Sequence, residues 1–337
     1  KEEKNKNNTN ETAQVEENKK NNEKANNKKE QKRKNSKLRM MLVILFLLVF
    51  SGVSYVQLRG SYLEYLELGS QYIDIFKTNL IYRYSIMAIN FVFLYIVIYF
   101  TNRGIKKGLK PFFEKEKRSM PKLLNKSLAL VISAVVSFVV SSAFMQKIML
   151  IINGTSFGNQ DPIFGLDIAY YMFQKPVIEM LLFYFVVLFV GLSLYMALYY
   201  VIVFNRFFDG VDGKMLKESI FMKKLMRNIM LVVVGVALIT VINTQNIMYG
   251  KILTVGDDIE INGAGMTEAT VQLYGYIIFA FVIVIFAYRA LKAFKASNTS
   301  KVLKNLAVIP GYLVVLFLVM LVFDLAYVHS NELDKEK

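Results

Sequence analysis

Seven stretches of this 337-residue chain run for 19 residues or more without one charged side chain. They are Met40–Leu58, Tyr84–Asn102, Ser127–Gln146, Met180–Asn205, Asn228–Gly250, Ala269–Tyr288 and Asn305–Phe323. At 1.5 Å rise per residue, about 20 helical residues cross a hydrocarbon layer of about 30 Å, so each run is long enough to cross once. A lipid-buried backbone must pair its amides within its own segment, and the runs lack the alternation of barrel strands. The expectation is an all-α, polytopic membrane protein with seven transmembrane helices and short amphipathic outer helices. Hydrophobic residues form 55% of the chain, and the charges are segregated from them into short connections.

Lys and Arg orient the helices. The tail through Arg39 holds 13, and the connections Arg103–Lys126, Arg206–Arg227 and Arg289–Lys304 hold 9, 6 and 5. The alternate connections and the C-terminal segment hold only 3, 2, 1 and 2. By the positive-inside rule the N-terminus is cytoplasmic, and an odd helix count puts the C-terminus outside. The net charge of +15 is therefore read as a topology signal spread over four segments, not as a nucleic-acid surface. Residues 1–37 are almost all polar and are expected to be a disordered basic cytoplasmic tail. Residues 38–328 form the seven-helix domain, and 329–337 begin an extracytoplasmic region. The first apolar run reads as an uncleaved anchor, since no small-residue cleavage site follows it. The chain starts at Lys1 and stops in a charged run, which reads as a fragment of a longer protein.

Three outer connections hold structure. Ser61–Lys77 places Tyr62, Tyr65, Leu66, Tyr72, Ile73 and Phe76 at helical spacing, which predicts an amphipathic helix at the interface. Ile152–Pro176 is punctuated by Gly and Pro. Here Asp167 is placed to cap a short outer helix, with Pro176 opening the fourth transmembrane helix. Lys251–Thr270 is rich in Gly and acidic residues.

Catalytic chemistry finds little to work with. There is no Cys and one His, His329, so thiolate, zinc and His-based sites lack their ligands. The expectation is that the domain is not an enzyme and needs no cofactor. The outer acids Asp161, Asp167, Asp257, Asp258, Glu260 and Glu268 are the weak candidates for a Ca²⁺ site, with capping and solvated roles the simpler reading. Ser133, Ser137 and Ser141 fall on one stripe of the third run and read as close helix packing, with a conduction path as the sharper alternative. The other polar insertions are Asn90, Gln146, Asn243, Thr244 and Gln245, few for an ion-coupled transporter.

The element from Asp161 through Pro162, Phe164, Gly165, Asp167, Tyr171 and Phe173 to Pro176 resembles the most distinctive motif of the bacterial membrane proteins called uncharacterised protein family 0182. Tyr65-Leu66-Glu67-Leu68-Gly69, Gly263-Ala264-Gly265-Met266-Thr267-Glu268 and Asn331-Glu332-Leu333-Asp334-Lys335-Glu336 resemble further stretches of that family in the same order. Lys175 stands where the family usually has an apolar residue, and the customary Trp is absent. The resemblance implies a seven-helix domain in the bacterial plasma membrane, followed by a large extracytoplasmic domain, and it assigns no activity. On these grounds the chain is expected to anchor and orient that domain, with the lipid bilayer and the domain itself or an envelope protein as partners. A transporter, channel or lipid-handling protein is the alternative.

Overall fold

The computed structural model describes residues 51–120, 125–208, 219–249, 251–255 and 259–328, with isolated positions at 41, 44, 45, 48, 49, 216 and 330. The described residues are mainly helical, with one short hairpin among them. Six described helices are long and apolar enough to cross a membrane. They hold six of the seven expected runs. The run Met40–Leu58 lies only partly among the described residues and is not among the six, and the tail 1–37 and residues 331–337 lie outside them.

The chain divides into two compact units, Lys1–Ile81 and Tyr82–Lys337. In the first, helix α1 covers 51–68 and ends at Gly69, whose φ of +129° a side chain would oppose. One 3₁₀ turn, Ser70–Tyr72, leads into α2, Ile73–Lys115. The amphipathic helix expected over Ser61–Lys77 is thus not one element. Gly69 cuts it, its first half extends α1, and its second half opens α2. The aromatic spacing still has a use, because Phe76 packs against both Tyr62 and Tyr65 across the turn, with ring centroids 5.8 and 5.7 Å apart. Asn79 donates to the Tyr65 hydroxyl at 3.1 Å.

In the second unit the rest of α2 is followed by α3 (Asn125–Ile152), α4 (Lys175–Phe207), α5 (Ile220–Asn243), α6 (Leu273–Lys295) and α7 (Thr299–Phe323). Successive helices pack in order: α3 on α4, α4 on α5, α5 on α6 and α6 on α7. The starts of α5 and α7 are capped as their sequences invite. Ser219 accepts the Met222 amide and Asn298 accepts the Lys301 amide. Within the Gly- and acid-rich connection Lys251–Thr270, β1 (Lys251–Val255) and β2 (Ile259–Asn262) form an antiparallel hairpin.

Two ends can be distinguished. At the basic end, α2 continues three turns beyond its charge-free run because Ile105, Leu109, Phe112 and Phe113 are buried against Met196, Tyr200, Val203 and Phe204 of α4 and Phe221 of α5. Tyr200 and Phe221 stack with centroids 3.7 Å apart. Burying this much aromatic surface explains why helix persists into a stretch whose charges had suggested a connection. At the opposite end lie the 153–169 loop, the turn Thr244–Tyr249 and the hairpin, which we call the motif end.

Candidate functional site

The loop at the motif end is organised by two carboxylates. Gln160 and Asp167 form an isolated antiparallel bridge, and the Ile168 amide donates to the Asn159 carbonyl. The loop between them turns through Pro162 and Gly165, whose φ of +66° favours glycine. Asp161 lies beneath this turn, only 6% exposed. Its Oδ1 accepts the amides of Ile163 (2.9 Å) and Phe164 (2.6 Å). Its Oδ2 accepts the Leu166 amide and the Tyr171 hydroxyl, both at 2.9 Å. Burial opposes the charge, but the amides of Phe164, Leu166 and Ile163 and the Tyr171 hydroxyl together outweigh it and hold the pKa below the ordinary 3.8.

Asp167 ties the segment 156–158 to the helix after it. Oδ1 accepts the Ala169 amide at 2.8 Å, as a cap would, and the Phe157 amide at 3.2 Å. Oδ2 accepts the Gly158 amide at 3.0 Å and the Ser156 hydroxyl. The Ser156 hydroxyl contributes most to lowering its pKa to about 2, ahead of the Ala169 amide, with the amides of Gly158 and Phe157 adding to it against a small burial penalty.

The segment after Asp167 is not a separate short outer helix. Residues 168 and 169 enter a π turn, Tyr170–Gln174, that runs straight into α4. Pro176 explains this. It has no amide to donate back along the helix, and its ring crowds the carbonyl four residues earlier, so the backbone widens there. The wide turn aims three aromatic side chains. Tyr171 goes down to Asp161, and Phe173 packs on Phe157 at 5.8 Å. The Tyr170 hydroxyl donates to Gln245 at 3.2 Å.

Lys175 is the least expected member of the cluster, 3% exposed at the start of α4. Its ammonium donates to Asn246, pairs with Glu179 at 3.5 Å, and lies 5.1 and 5.9 Å from the rings of Tyr249 and Tyr171. Glu179, Asn246 and two aromatic faces together replace the water it loses.

The serine stripe lies at a helix interface. Ser133, Ser137 and Ser141 are 0, 0 and 1% exposed. Ser133 and Ser141 return their hydroxyls to their own helix. Ser137 accepts from Asn90 of α2 at 3.3 Å, and Asn90 accepts the Tyr184 hydroxyl of α4 at 2.7 Å. One asparagine therefore links three helices. A second contact of the same kind joins Tyr195 to Asn102 at 2.6 Å. Among the described residues no buried side-chain nitrogen or oxygen lacks a partner.

Of the six acids offered as weak metal candidates, the three whose side chains are described, Asp161, Asp167 and Glu268, form no metal cluster. Asp161 and Asp167 are separately saturated by donors. Glu268 opens the π turn before α6. Asp257 and Asp258 lie outside the described residues, and of Glu260 only the β2 backbone is described. Among the described residues no three His, Cys, Asp or Glu side chains converge. Sequence reasoning gave Asp167 a cap and offered Asp161 as a motif residue and a weak metal candidate, without the turn it holds. The signal was present in the Asp-Pro-x-x-Gly spacing, which suits an aspartate accepting the amides two and three residues on. The cage around Lys175 had no such signal, since Asn246 and Tyr249 are some 70 residues away.

The model of the uncharacterised protein family UPF0182 matches residues 38–337. A UPF0182 protein of Caldicellulosiruptor saccharolyticus is 21% identical over 270 residues, covering 79% of this chain and 29% of the relative. One of Clostridium acetobutylicum is 30% identical over 261 residues, 70% of this chain and 27% of the relative. One of Trichodesmium erythraeum is 41% identical over 61 residues, 18% of this chain and 6% of the relative. The chain thus spans less than a third of the curated relatives it matches. No solved structure matches it. With the family model covering most of its length, the chain belongs to the uncharacterised protein family UPF0182.

Proposed function

We propose that this chain is a non-enzymatic domain of the bacterial plasma membrane. It crosses seven times, with the N-terminus cytoplasmic and the C-terminus outside. It anchors and orients an extracytoplasmic domain, and its motif end is the platform on which that domain or an envelope partner rests. The observation that carries this reading is the internal hydrogen bonding of the segment 156–175. Two carboxylates and one buried ammonium are spent on the loop's own backbone and neighbours, which leaves them fixed rather than available to a substrate. Phe157, Ile168 and Met172 are left exposed beside it. The pairing of Asn90, Ser137 and Tyr184 with one another supports helix cohesion over a water-filled path.

Topology and docking are tested together. The chain has no Cys, so single cysteines report cleanly. Lys110→Cys, Lys217→Cys and Ala296→Cys should be shielded from an impermeant reagent in intact cells, and Gly158→Cys and Gly263→Cys should react. In the full-length protein, a photocrosslinker at Ile168 or Met172 should capture the extracytoplasmic domain or an envelope protein. Capture of lipid alone at both positions, with selective solute flux in reconstituted vesicles, would sink the platform reading.

A further inference from the structure

A groove of about 750 Å³ opens between α5 and α6 at the basic end. Its α5 wall is Met226, Arg227 and Met230. The α6 wall is Tyr288, Leu291, Lys292 and Lys295, at i, i+3, i+4 and i+7, which is one continuous helical stripe. Along the helix axes the groove runs from Met230 and Tyr288 to the three cations, with Met226 and Leu291 at the cations' level. The charge-free run of α5 starts at Asn228 and that of α6 stops at Tyr288. Arg227, Lys292 and Lys295 therefore stand just beyond the apolar zone, while Met230 and Tyr288 lie at its edge. Among the described residues no acidic side chain lines the groove. None of the three cations makes an ion pair among the described residues.

We propose that this groove binds one anionic phospholipid. The phosphodiester is held by Arg227, Lys292 and Lys295, and an acyl chain leaves the groove past Met230 and Tyr288 into the apolar zone. Charge complementarity selects the headgroup. The position of the cations at the boundary of two apolar runs selects a bilayer lipid over a soluble phosphate, because the apolar half of the groove faces hydrocarbon. Positive-inside bias by itself explains cations on this end. It does not require three of them, from two helices, around one cavity with no counter-charge among the described residues. Assignment to the cytoplasmic leaflet rests on the topology proposed above, whereas the binding itself does not.

The test uses the whole chain, purified in uncharged detergent, with bound lipid counted by native mass spectrometry. Dioleoylphosphatidylglycerol should be retained at one molecule per chain, and dioleoylphosphatidylcholine should be lost. Each cation near a membrane surface contributes about a fivefold factor, so Arg227→Gln/Lys292→Gln/Lys295→Gln should weaken phosphatidylglycerol by roughly 100-fold. Lys106→Gln/Lys110→Gln/Lys301→Gln, which removes the same charge from the same end, should weaken it by no more than about twofold. All six side chains are exposed, and unchanged helical circular dichroism confirms that both variants fold. Equal weakening by the two variants would reduce the site to diffuse electrostatics and overturn the proposal. Equal retention of phosphatidylcholine would do the same. Displacement by millimolar glycerol phosphate would reassign the groove to a soluble ligand. Cysteine labelling at Lys217 and Gly263 in the same protein reads the topology separately, so an inverted orientation would overturn the leaflet and leave the binding result standing.

Discussion

Removal of the Asp161 carboxylate is the sharpest test of how the motif end is held. Four donors converge on it, the amides of Ile163, Phe164 and Leu166 and the hydroxyl of Tyr171, all within 2.9 Å. A hydrogen bond to a charged group contributes about 1.5–3 kcal/mol, and a buried donor left without a partner costs about 1–3 kcal/mol. In Asp161→Ala the three amides are only half-buried and water recovers part of the loss, whereas the Tyr171 hydroxyl is buried. The expected destabilisation is about 3–5 kcal/mol. Asp161→Asn keeps an oxygen for Ile163 and Phe164 but turns an amide group toward the Leu166 N–H. The Tyr171 hydroxyl can reverse and accept, so the expected loss is about 2 kcal/mol. Amide exchange measures this locally: protection at Ile163, Phe164 and Leu166 should collapse in the Ala variant. In the Asn variant it should fall mainly at Leu166, by roughly 30-fold for about 2 kcal/mol. The sign with pH follows from the depressed pKa. Stability from Asp161 is fully present above 3.8 and is lost as pH falls through its lower folded value. Asp161→Asn should lack that acid limb. Parental protection of all three amides in Asp161→Ala would refute the role assigned to this carboxylate.

Four further outcomes are expected. Asp167→Ala should lower thermal stability and free the segment 156–158, while Asp167→Asn retains most of the capping. The parent's contribution from this group should persist above pH 3.8 and fade as pH drops through about 2. Added Ca²⁺ should leave the melting temperature of both unchanged, and stabilisation of the parent alone would reveal an ion site instead. Lys175→Met should change stability by less than about 1 kcal/mol, because it removes the buried charge and leaves a Glu179 carboxylate that is 39% exposed and regains water. Glu179→Gln should cost more, since it leaves the buried ammonium without its countercharge, and the reverse order in denaturation would contradict the cage. Tyr184→Phe should cost about 0.6–1.5 kcal/mol in reversible unfolding, with most of it absent in an Asn90→Leu background. Gly165→Ala should cost about 1–2 kcal/mol through its φ of +66°.

Elements whose cause is local were legible in the chain itself. A charge-free run long enough to cross hydrocarbon must be helix, because its amides can pair only within it. Six such runs lie inside α2 to α7 and their flanking turns. The caps at Ser219 and Asn298 likewise depend on neighbours a few residues away. The ends of the elements did not follow so simply. Helix α2 outruns its apolar stretch because Tyr200, Phe204 and Phe221 supply a partner for Phe112 and Phe113. Gly69 split a periodic pattern because one positive φ outweighs the spacing of several aromatics.

The sequence by itself determined the helical class and the placement of six apolar helices, since a long charge-free run pairs its amides within itself and needs no partner to do so. The polar contacts were decided only by the tertiary structure. Asn90 meets Ser137 and Tyr184 from 47 and 94 residues away, and Lys175 meets Asn246 from 71. Nothing in the neighbourhood of either residue encodes those distances. A buried polar group takes whichever partner the packing of helices brings within about 3 Å, and that choice exists only once the helices are side by side.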